Sequence, residues 1–557
     1  MKINKTALKI VVPLTGLAAC TSEQAKKVTR PNIIIILADD MGYSDLGCYG
    51  SEIHTPNLDS LAVKGVRCSH FYNASKSCPS RASLLTGLYP AQAGMQHMSE
   101  GLKLKPDNTP IESYQGYIPS NVPTIADLLS QAGYHTCMSG KWHVGDSSIH
   151  WPASHGFQSS MFIPNWGSNY FSTSESIMKM MTDTGYRYYP DTNLYMTDII
   201  ADNAIQLLTD APADKPVFLY LAFNAPHTPL QAPDSIIEKY MPVYRNGWDS
   251  LIAERFRKLK EYGIISRDAS GPGEKVDFAD VNYDWNTRSA KDKWFLQRTM
   301  ATYAAMIDRM DQNIGRVMDC LKKTGRFDNT VIFFFSDNGA THAGGHKVTE
   351  KNKNENVIPG NRYYSGGPGY GWGRLSNTPY RMFKSYSWEG GIASPFITYG
   401  PNYFPQNKII HNACFHIMDV LPTCLDLAGI QYPDTFHGTK VKNVYHQSML
   451  PWLQIDQPVA DTLGERIFSW EHEGHMGIRK GKWKLVFVRE FFYTDQPSNE
   501  RKSQMVNSWY LFDLVSDPYE NNDLSKIHPD VVEQLRKEYK PWAEKTGVVD
   551  WDKVNIW

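Results

Sequence analysis

With 557 residues the chain exceeds one ordinary hydrophobic core, so two unequal domains, or one large domain with an appendage, are expected. Its 57 basic and 58 acidic residues balance, which excludes bulk attraction to nucleic acid; an anionic substrate would need cations placed locally. Beyond the N-terminus no apolar run approaches the roughly 20 residues that span a bilayer.

Lys2, Lys5 and Lys9 precede an apolar stretch over residues 10–19, interrupted by Pro13, that ends Leu17-Ala18-Ala19-Cys20. This end resembles the bacterial lipobox, in which residues 1–19 are removed as a signal peptide and Cys20 is lipidated; a plain secretory signal is the alternative. Residues 20–29 then read as a tether. The expectation is an exported protein, in the periplasm or outer membrane of a Gram-negative bacterium and held to the membrane by a lipid anchor. Past Cys20 seven cysteines remain without regular spacing or a Cys-x-x-Cys pair. They predict buried apolar residues rather than a disulfide framework or a structural zinc site.

The near-continuous aliphatic run over residues 32–38 predicts a buried central strand, and it ends Asp39-Asp40-Met41-Gly42. Open α/β sheets place their sites at the carboxyl ends of such strands. Adjacent carboxylates repel unless a cation lies between them, and oxygen ligands suit calcium or magnesium; a capped turn is the plainer alternative. Asp45 matches no ligand position and reads as loop. A helix over residues 58–65 leads to Ser75-Lys76-Ser77-Cys78-Pro79-Ser80-Arg81-Ala82-Ser83-Leu84-Leu85-Thr86-Gly87. Pro79 suits a first helical turn, so a residue just ahead of it meets backbone N–H groups and a dipole that favour an anion. Arg81 adds a planar fork of donors four residues after Ser77. Taken alone, the segment could equally be a capped surface helix.

A helix over 123–133 and a short strand over 134–138 precede Ser139-Gly140-Lys141-Trp142-His143-Val144-Gly145. Lys141 and His143, two apart in an extended segment, should point to the same side and offer a cation and a base to an anionic ester. Residues 146–189 are rich in Trp, Tyr, Ser and Asn and read as a long loop over the site, where His155, Trp166, Asn169 and Tyr170 could touch a sugar or simply pack. A helix over 197–208 and a buried strand over 216–222 follow. The strand delivers Asn224-Ala225-Pro226-His227-Thr228-Pro229, which fixes His227 as a candidate proton donor. Residues 244–285 read as a polar, irregular insertion.

A long helix is predicted over 299–323, with Asp308 and Asp311 as solvent or capping carboxylates. The strand over 331–335 ends Ser336-Asp337-Asn338-Gly339, a second oxygen-bearing element at the end of a core strand. The glycines of 366–373 lack a strand-glycine-helix context and read as a loop rather than a nucleotide cradle. Lys384 stands five residues before Glu389-Gly390-Gly391. A core helix over 416–429 carries a structural Asp419. After Leu453 the pattern turns to short strands over 467–470, 476–479, 483–488 and 509–515, closed by a helix over 529–545. Glu471-His472-Glu473-Gly474-His475 reads as a loop there without helical metal spacing; Glu471 and His472 are candidate substrate-binding residues on a rim, or plain hairpin polarity.

The segment from Ser77 to Gly87 resembles the sulfatase signature (Cys or Ser)-x-Pro-(Ser or Ala)-Arg-x-x-x-(Leu or Thr)-x-Gly, with Arg81, Leu85 and Gly87 in register. Cys78 abuts Pro79, whereas the signature needs one residue between nucleophile and proline; Ser77 fits and Cys78 does not. The Asp39-Asp40, Gly-Lys-Trp-His-x-Gly, Pro-His-x-Pro, Asp337-Asn338 and Lys384 elements follow in family order. From Pro31 to about Gly547 the chain is similar to serine-type, formylglycine-dependent, arylsulfatase-like sulfatases of the alkaline phosphatase superfamily. It departs at Ala393-Ser394-Pro395, where the family usually has Arg-x-Pro, outside the catalytic set.

That resemblance implies an α/β fold: a large mixed β-sheet sandwiched by helices over 30–455, and a small antiparallel sheet plus helix over 456–557. It implies that a formylglycine-generating maturation enzyme oxidises Ser77, and that Ca2+ is held by Asp39, Asp40, the residue-77 oxygen, Asp337 and Asn338. Arg81 would steady the nucleophile, Lys141 and Lys384 would face the sulfate, His227 would protonate the leaving alcohol, and His143 would act as the later base. The expected substrate is a sulfated carbohydrate, with galactose 3-sulfate as first candidate. Two rivals stand beside it: a phosphate or phosphonate ester hydrolase, and a non-enzymatic glycan-binding lipoprotein with Ser77 unmodified.

Overall fold

Five consecutive aliphatic residues, Ile33 through Leu37, cannot face water on either side of a strand, and all are buried in β1 (Asn32–Ala38). The computed structural model describes residues 30–100, 109–173, 176–274, 284–344, 357–442, 447–454, 466–489 and 507–554. The signal segment, Cys20 and the tether lie outside the described residues.

Around β1 a ten-stranded mixed sheet is assembled from β2 (Val66–Cys68), β3 (His135–Lys141), β4 (Ser159–Ile163), β5 (Met178–Thr182), β6 (Gly185–Tyr189), β7 (Val217–Ala222), β8 (Thr330–Ser336), β9 (Phe396–Tyr399) and β10 (Lys408–Ile410). Their spatial order is β10-β2-β9-β8-β1-β7-β3-β4-β5-β6. The central strands β8, β1, β7, β3 and β4 are parallel, with Ile35 opposite both Tyr220 and Phe333. Their carboxyl ends therefore open on one edge. Alternation divides β1 between two cores. Ile34 and Ile36 pack with helices Met196–Asp210 and Ala290–Lys323. Ile33, Ile35 and Leu37 pack with Ser77–Thr86, Ile125–Gln131 and Val420–Ala428.

Four sequence expectations are corrected. Within 146–189, read as loop, β4, β5 and β6 extend the main sheet; β5 and β6 are short with little alternation to read, and β6, at the sheet edge, is mostly exposed. Within 244–285, read as irregular, the helix Asp249–Glu261 buries Ile252, Arg255, Phe256 and Leu259. The glycines read as a loop open the helix Gly369–Asn377, because a Cβ on Gly371 would fall 2.4 Å from the Trp248 ring. The long helix begins at Ala290, where Ser289 accepts a hydrogen bond from the Asp292 amide.

The C-terminal chain forms an antiparallel sheet in sequence order: β11 (Ile467–His472), β12 (His475–Lys480), β13 (Trp483–Val488) and β14 (Ser508–Asp513). One face packs on the helix Pro529–Thr546 through Leu535 and Tyr539. The other face sets Val486, Val488 and Phe512 against Met382, Phe383, Tyr386 and Trp388, the segment that carries Lys384. Buried Lys484 locks this junction, 2.7 Å from Glu389 and 2.8 Å from Glu520. Among the described residues no helix is long and apolar enough to cross a membrane. The seven cysteines are buried and unpaired, as their spacing predicted.

Candidate active site

Four parallel strands deliver polar residues to the same edge: Asp39 and Asp40 follow β1, Lys141 ends β3, Asn224 to His227 follow β7, and Asp337 and Asn338 follow β8. The helix Ser77–Thr86 points its first turn at them. Ser77 Oγ donates to Asp337 Oδ2 at 2.7 Å and accepts from Arg81 Nε at 2.9 Å, one helical turn away. Arg81, fully buried, also grips Asp337 Oδ2 through Nη2 at 2.8 Å and donates to the Lys141 carbonyl at 3.1 Å.

Each carboxylate has a cation of its own. Lys141 Nζ lies 2.6 Å from Asp39 Oδ2, Lys384 Nζ lies 2.5 Å from Asp40 Oδ1, and Arg81 holds Asp337. Burial alone would raise the Asp40 carboxyl, but Lys384 and His227 hold it well below the usual range. Asp337 moves the other way, raised by burial and by the neighbouring Asp39 charge. Burial disfavours the Lys384 ammonium, yet Asp40 and Asp39 hold it above its ordinary value.

The two histidines sit on opposite flanks. His227 Nδ1 bonds the Thr228 carbonyl at 2.7 Å, and its Nε2 stands 3.7 Å from Asp40 Oδ2. Tyr170 fastens this loop, its hydroxyl donating to the Asn224 and His227 carbonyls. His143 adopts the left-handed backbone region (φ 58°), which breaks the simple alternation expected with Lys141. Its Nε2 bonds Glu100 Oε1 at 3.0 Å, and its Nδ1 is buried with no hydrogen-bond partner. Glu100 thus assigns the ring proton to Nε2 and leaves a lone pair on Nδ1. Burial, then the Lys141 charge, pushes this imidazole down to about 3, so it stays neutral and able to accept a proton.

Two oxygens suggest a cation. Asp39 Oδ1 and Asn338 Oδ1 are buried without a hydrogen-bond partner, while the Asn338 amide donates to Asp40 Oδ1 and the Asp40 N–H to Asp337 Oδ1. A buried acceptor is rarely left so unless something else fills its coordination. Ligand atoms of Asp39, Asp40 and His227 also lie within 4.8 Å of one another. The orphan carboxylate and amide oxygens make the donor set mainly hard oxygen, which fits a divalent cation of the calcium or magnesium kind.

The structure thus gathers Asp39, Asp40, Ser77, Arg81, Lys141, His227, Asp337, Asn338 and Lys384 into one cluster, with His143 beside Lys141. Glu471 and His472 stand apart from it. They finish β11 rather than forming a loop, because β11 and β12 stay paired through His472 and His475, with Glu473-Gly474 as the whole turn. Both are buried; Glu471 receives Gln96 and the Gly474 amide, and burial pushes its carboxyl up to about 7. The candidate substrate-binding pair thus lies at a packed hairpin end rather than in the loop expected there. Sequence reasoning missed Glu100, which carries no motif. It also passed over Asp45, a buried carboxylate that takes Arg255 at 2.7 Å and the Tyr303 hydroxyl at 2.8 Å; that hydroxyl also reaches the Asp40 carbonyl. Cys78 is buried beside Ser77, with its thiol pushed up to about 12 by burial.

A hydroxyl held by an arginine, with two ammonium groups on the adjoining carboxylates and a candidate oxygen-rich cation site, suits a tetrahedral oxyanion bound as an ester. Chemically this is a hydrolase of oxyanion esters on an α/β sheet. The Sulfatase family model matches residues 31–430, and the chain belongs to that family. It is 34% identical over 443 residues to an arylsulfatase of Klebsiella aerogenes (77% of this chain, 92% of that one). It is 26% identical over 603 residues to an N-acetylglucosamine-6-O-sulfatase of Bacteroides thetaiotaomicron (97% and 92%). Among solved structures, Ps i-CgsB in complex with k-i-k-neocarrahexaose superposes with a TM-score of 0.62 at 26% identity (93% and 94%). The chain is a sulfatase, a sulfuric ester hydrolase.

Proposed function

We propose that the protein removes sulfate from a sulfated monosaccharide unit at the end of a glycan chain, through a formylglycine made from Ser77. The observation that carries this reading is the Ser77 hydroxyl, fixed between Arg81 and Asp337, with Lys141 and Lys384 held on the adjoining carboxylates Asp39 and Asp40. Formylglycine, installed by a maturation enzyme, supplies a hydrated aldehyde in place of a single hydroxyl. Asp39, Asp40, residue 77, Asp337 and Asn338 would hold Ca2+, whose charge offsets that of the sulfate oxygens. Arg81 orients residue 77 in this scheme. Lys141 and Lys384 face the sulfate, and His227, as the imidazolium that the Asp40 carboxylate favours, gives its Nε2 proton to the departing alcohol, assisted by Lys384. His143 Nδ1 takes the proton whose loss releases sulfate, with Glu100 on Nε2 keeping that nitrogen aimed and unprotonated.

The substrate class rests on two similar proteins, one named an N-acetylglucosamine-6-O-sulfatase and one solved in complex with k-i-k-neocarrahexaose, and on one feature of this chain. Trp166 is 49% exposed, and its ring lies 6.3 Å from the His227 imidazole, on the leaving-group side. An exposed indole there offers a face for a sugar ring. Trp166→Ala should raise KM for the sulfated sugar about tenfold, equivalent to ~1.4 kcal/mol, and leave a small alkyl sulfate unaffected. Trp166→Phe should keep most of the affinity, and an unchanged KM in the alanine variant would count against the platform.

A panel of defined sulfated sugars tests the function itself. Galactose 3-sulfate is the first candidate, followed by other galactose and hexosamine sulfates; turnover of aryl sulfates with every sugar inert would refute the glycan reading. Membrane attachment through Cys20 is a separate proposal. Changing Cys20 to Ser should move the protein from the membrane to the soluble fraction, and unchanged partitioning would refute it.

A further inference from the structure

Cys78 is a thiol that the sulfatase signature and the reaction scheme leave without a role. Its Sγ, a carboxylate oxygen of Glu100 and a ring nitrogen of His143 lie within 4.8 Å of one another. Cys78 and His143 are fully buried, whereas the Glu100 side chain is 40% exposed and gives an approach from solvent. The Glu100–His143 contact of 3.0 Å is already close to the spacing of two ligands on one small ion. Thiolate, imidazole and carboxylate together form a borderline-soft set of three donors, the kind that zinc takes in tetrahedral sites with one position open. Calcium, which prefers oxygen, would be held by the separate set of Asp39, Asp40, Asp337 and Asn338.

We propose that Cys78, Glu100 and His143 form a zinc-binding site. Closing it needs only side-chain shifts that bring the donors from mutual contact to ordinary zinc distances. The Cys78 thiol gives one proton to solvent, and the imidazole stays neutral with its proton on the nitrogen that the metal does not take. Zinc there breaks the Glu100–His143 hydrogen bond and occupies the ring. If His143 is the base, as proposed above, zinc then inhibits turnover reversibly; binding itself does not rest on that role.

The test uses the mature, calcium-saturated enzyme, titrated with zinc chloride and, separately, with cobalt(II) as a spectroscopic substitute. Wild type should show a cobalt–thiolate charge-transfer band in the near ultraviolet and lose turnover by at least about tenfold with zinc. Cys78→Ala and Cys78→Ser should retain basal turnover, lack the band and need about 10- to 100-fold more zinc for the same inhibition. A thiolate band without inhibition would support the site and contradict the role given to His143. No thiolate band in wild type, or equal zinc sensitivity in all three proteins, would overturn the site.

Discussion

Ser77→Ala is expected to lower kcat on the order of 10⁵-fold, while Cys78→Ala keeps most of the turnover. Both residues occupy the first turn of one helix and both are buried, so burial cannot separate them. Their partners do. The Ser77 hydroxyl bonds Arg81 and Asp337 directly, whereas the Cys78 side chain packs among Leu84, Leu85 and other apolar residues of the second core. Removing the hydroxyl removes the precursor of the nucleophile, leaving only the binding groups around it. Removing the thiol costs packing alone, of order 1 kcal/mol for so small a side chain. Thermal melts of both variants, run beside the assay, separate lost chemistry from lost fold; equal loss of kcat in two folded proteins would break the assignment.

Chelation of the divalent cation should abolish turnover, calcium should restore it, and the fold should survive the cycle. The fold survives because Asp39, Asp40 and Asp337 are matched by Lys141, Lys384 and Arg81 at 2.5–2.8 Å. Activity does not, because lysines engaged with carboxylates are poorly disposed to bind a sulfate. Calcium that takes over the carboxylate charge leaves them free to do so. Calcium at about 100 times its Kd should also raise stability by ~2.7 kcal/mol, visible as a higher Tm. Metal analysis of active enzyme, together with circular dichroism and turnover before and after chelation, checks both halves. Full activity in stripped enzyme, or stoichiometric zinc in place of calcium in active preparations, would contradict the prediction.

Much of the site was legible because its residues are tied to local pattern. Asp39-Asp40 and Asp337-Asn338 end runs that can only be buried strands, and Ser77, Pro79 and Arg81 belong to one helical turn whose geometry follows from spacing. Lys384 was found through the family resemblance, which places a lysine five residues before Glu-Gly-Gly; in the structure that segment is anchored to the C-terminal sheet through Glu389 and Lys484. What escaped is held by distant partners. Glu100 meets His143 across 43 residues, and Asp45 meets Arg255 across 210, with no periodicity to mark either pair. The strands β5 and β6 escaped for another reason. β5 buries Met180 and Met181 in opposite cores and β6 exposes Tyr186, Arg187 and Tyr188 in succession, so neither shows the alternation that marks a half-buried strand. The hairpin of Glu471 and His472 was seen as chemistry because its residue types suggest it; its turn is simply tighter than the sequence implied.

The central claim is that residue 77 does its work as a formylglycine. Mass spectrometry of the peptide containing residues 77 and 78, from protein purified out of its native host, addresses it directly. The expected spectrum shows the peptide lighter by one pair of hydrogen atoms, with fragment ions placing the loss on residue 77 and the aldehyde captured by a hydrazine reagent. Fully active protein in which Ser77 is unchanged, or in which the modification falls on Cys78, would contradict it.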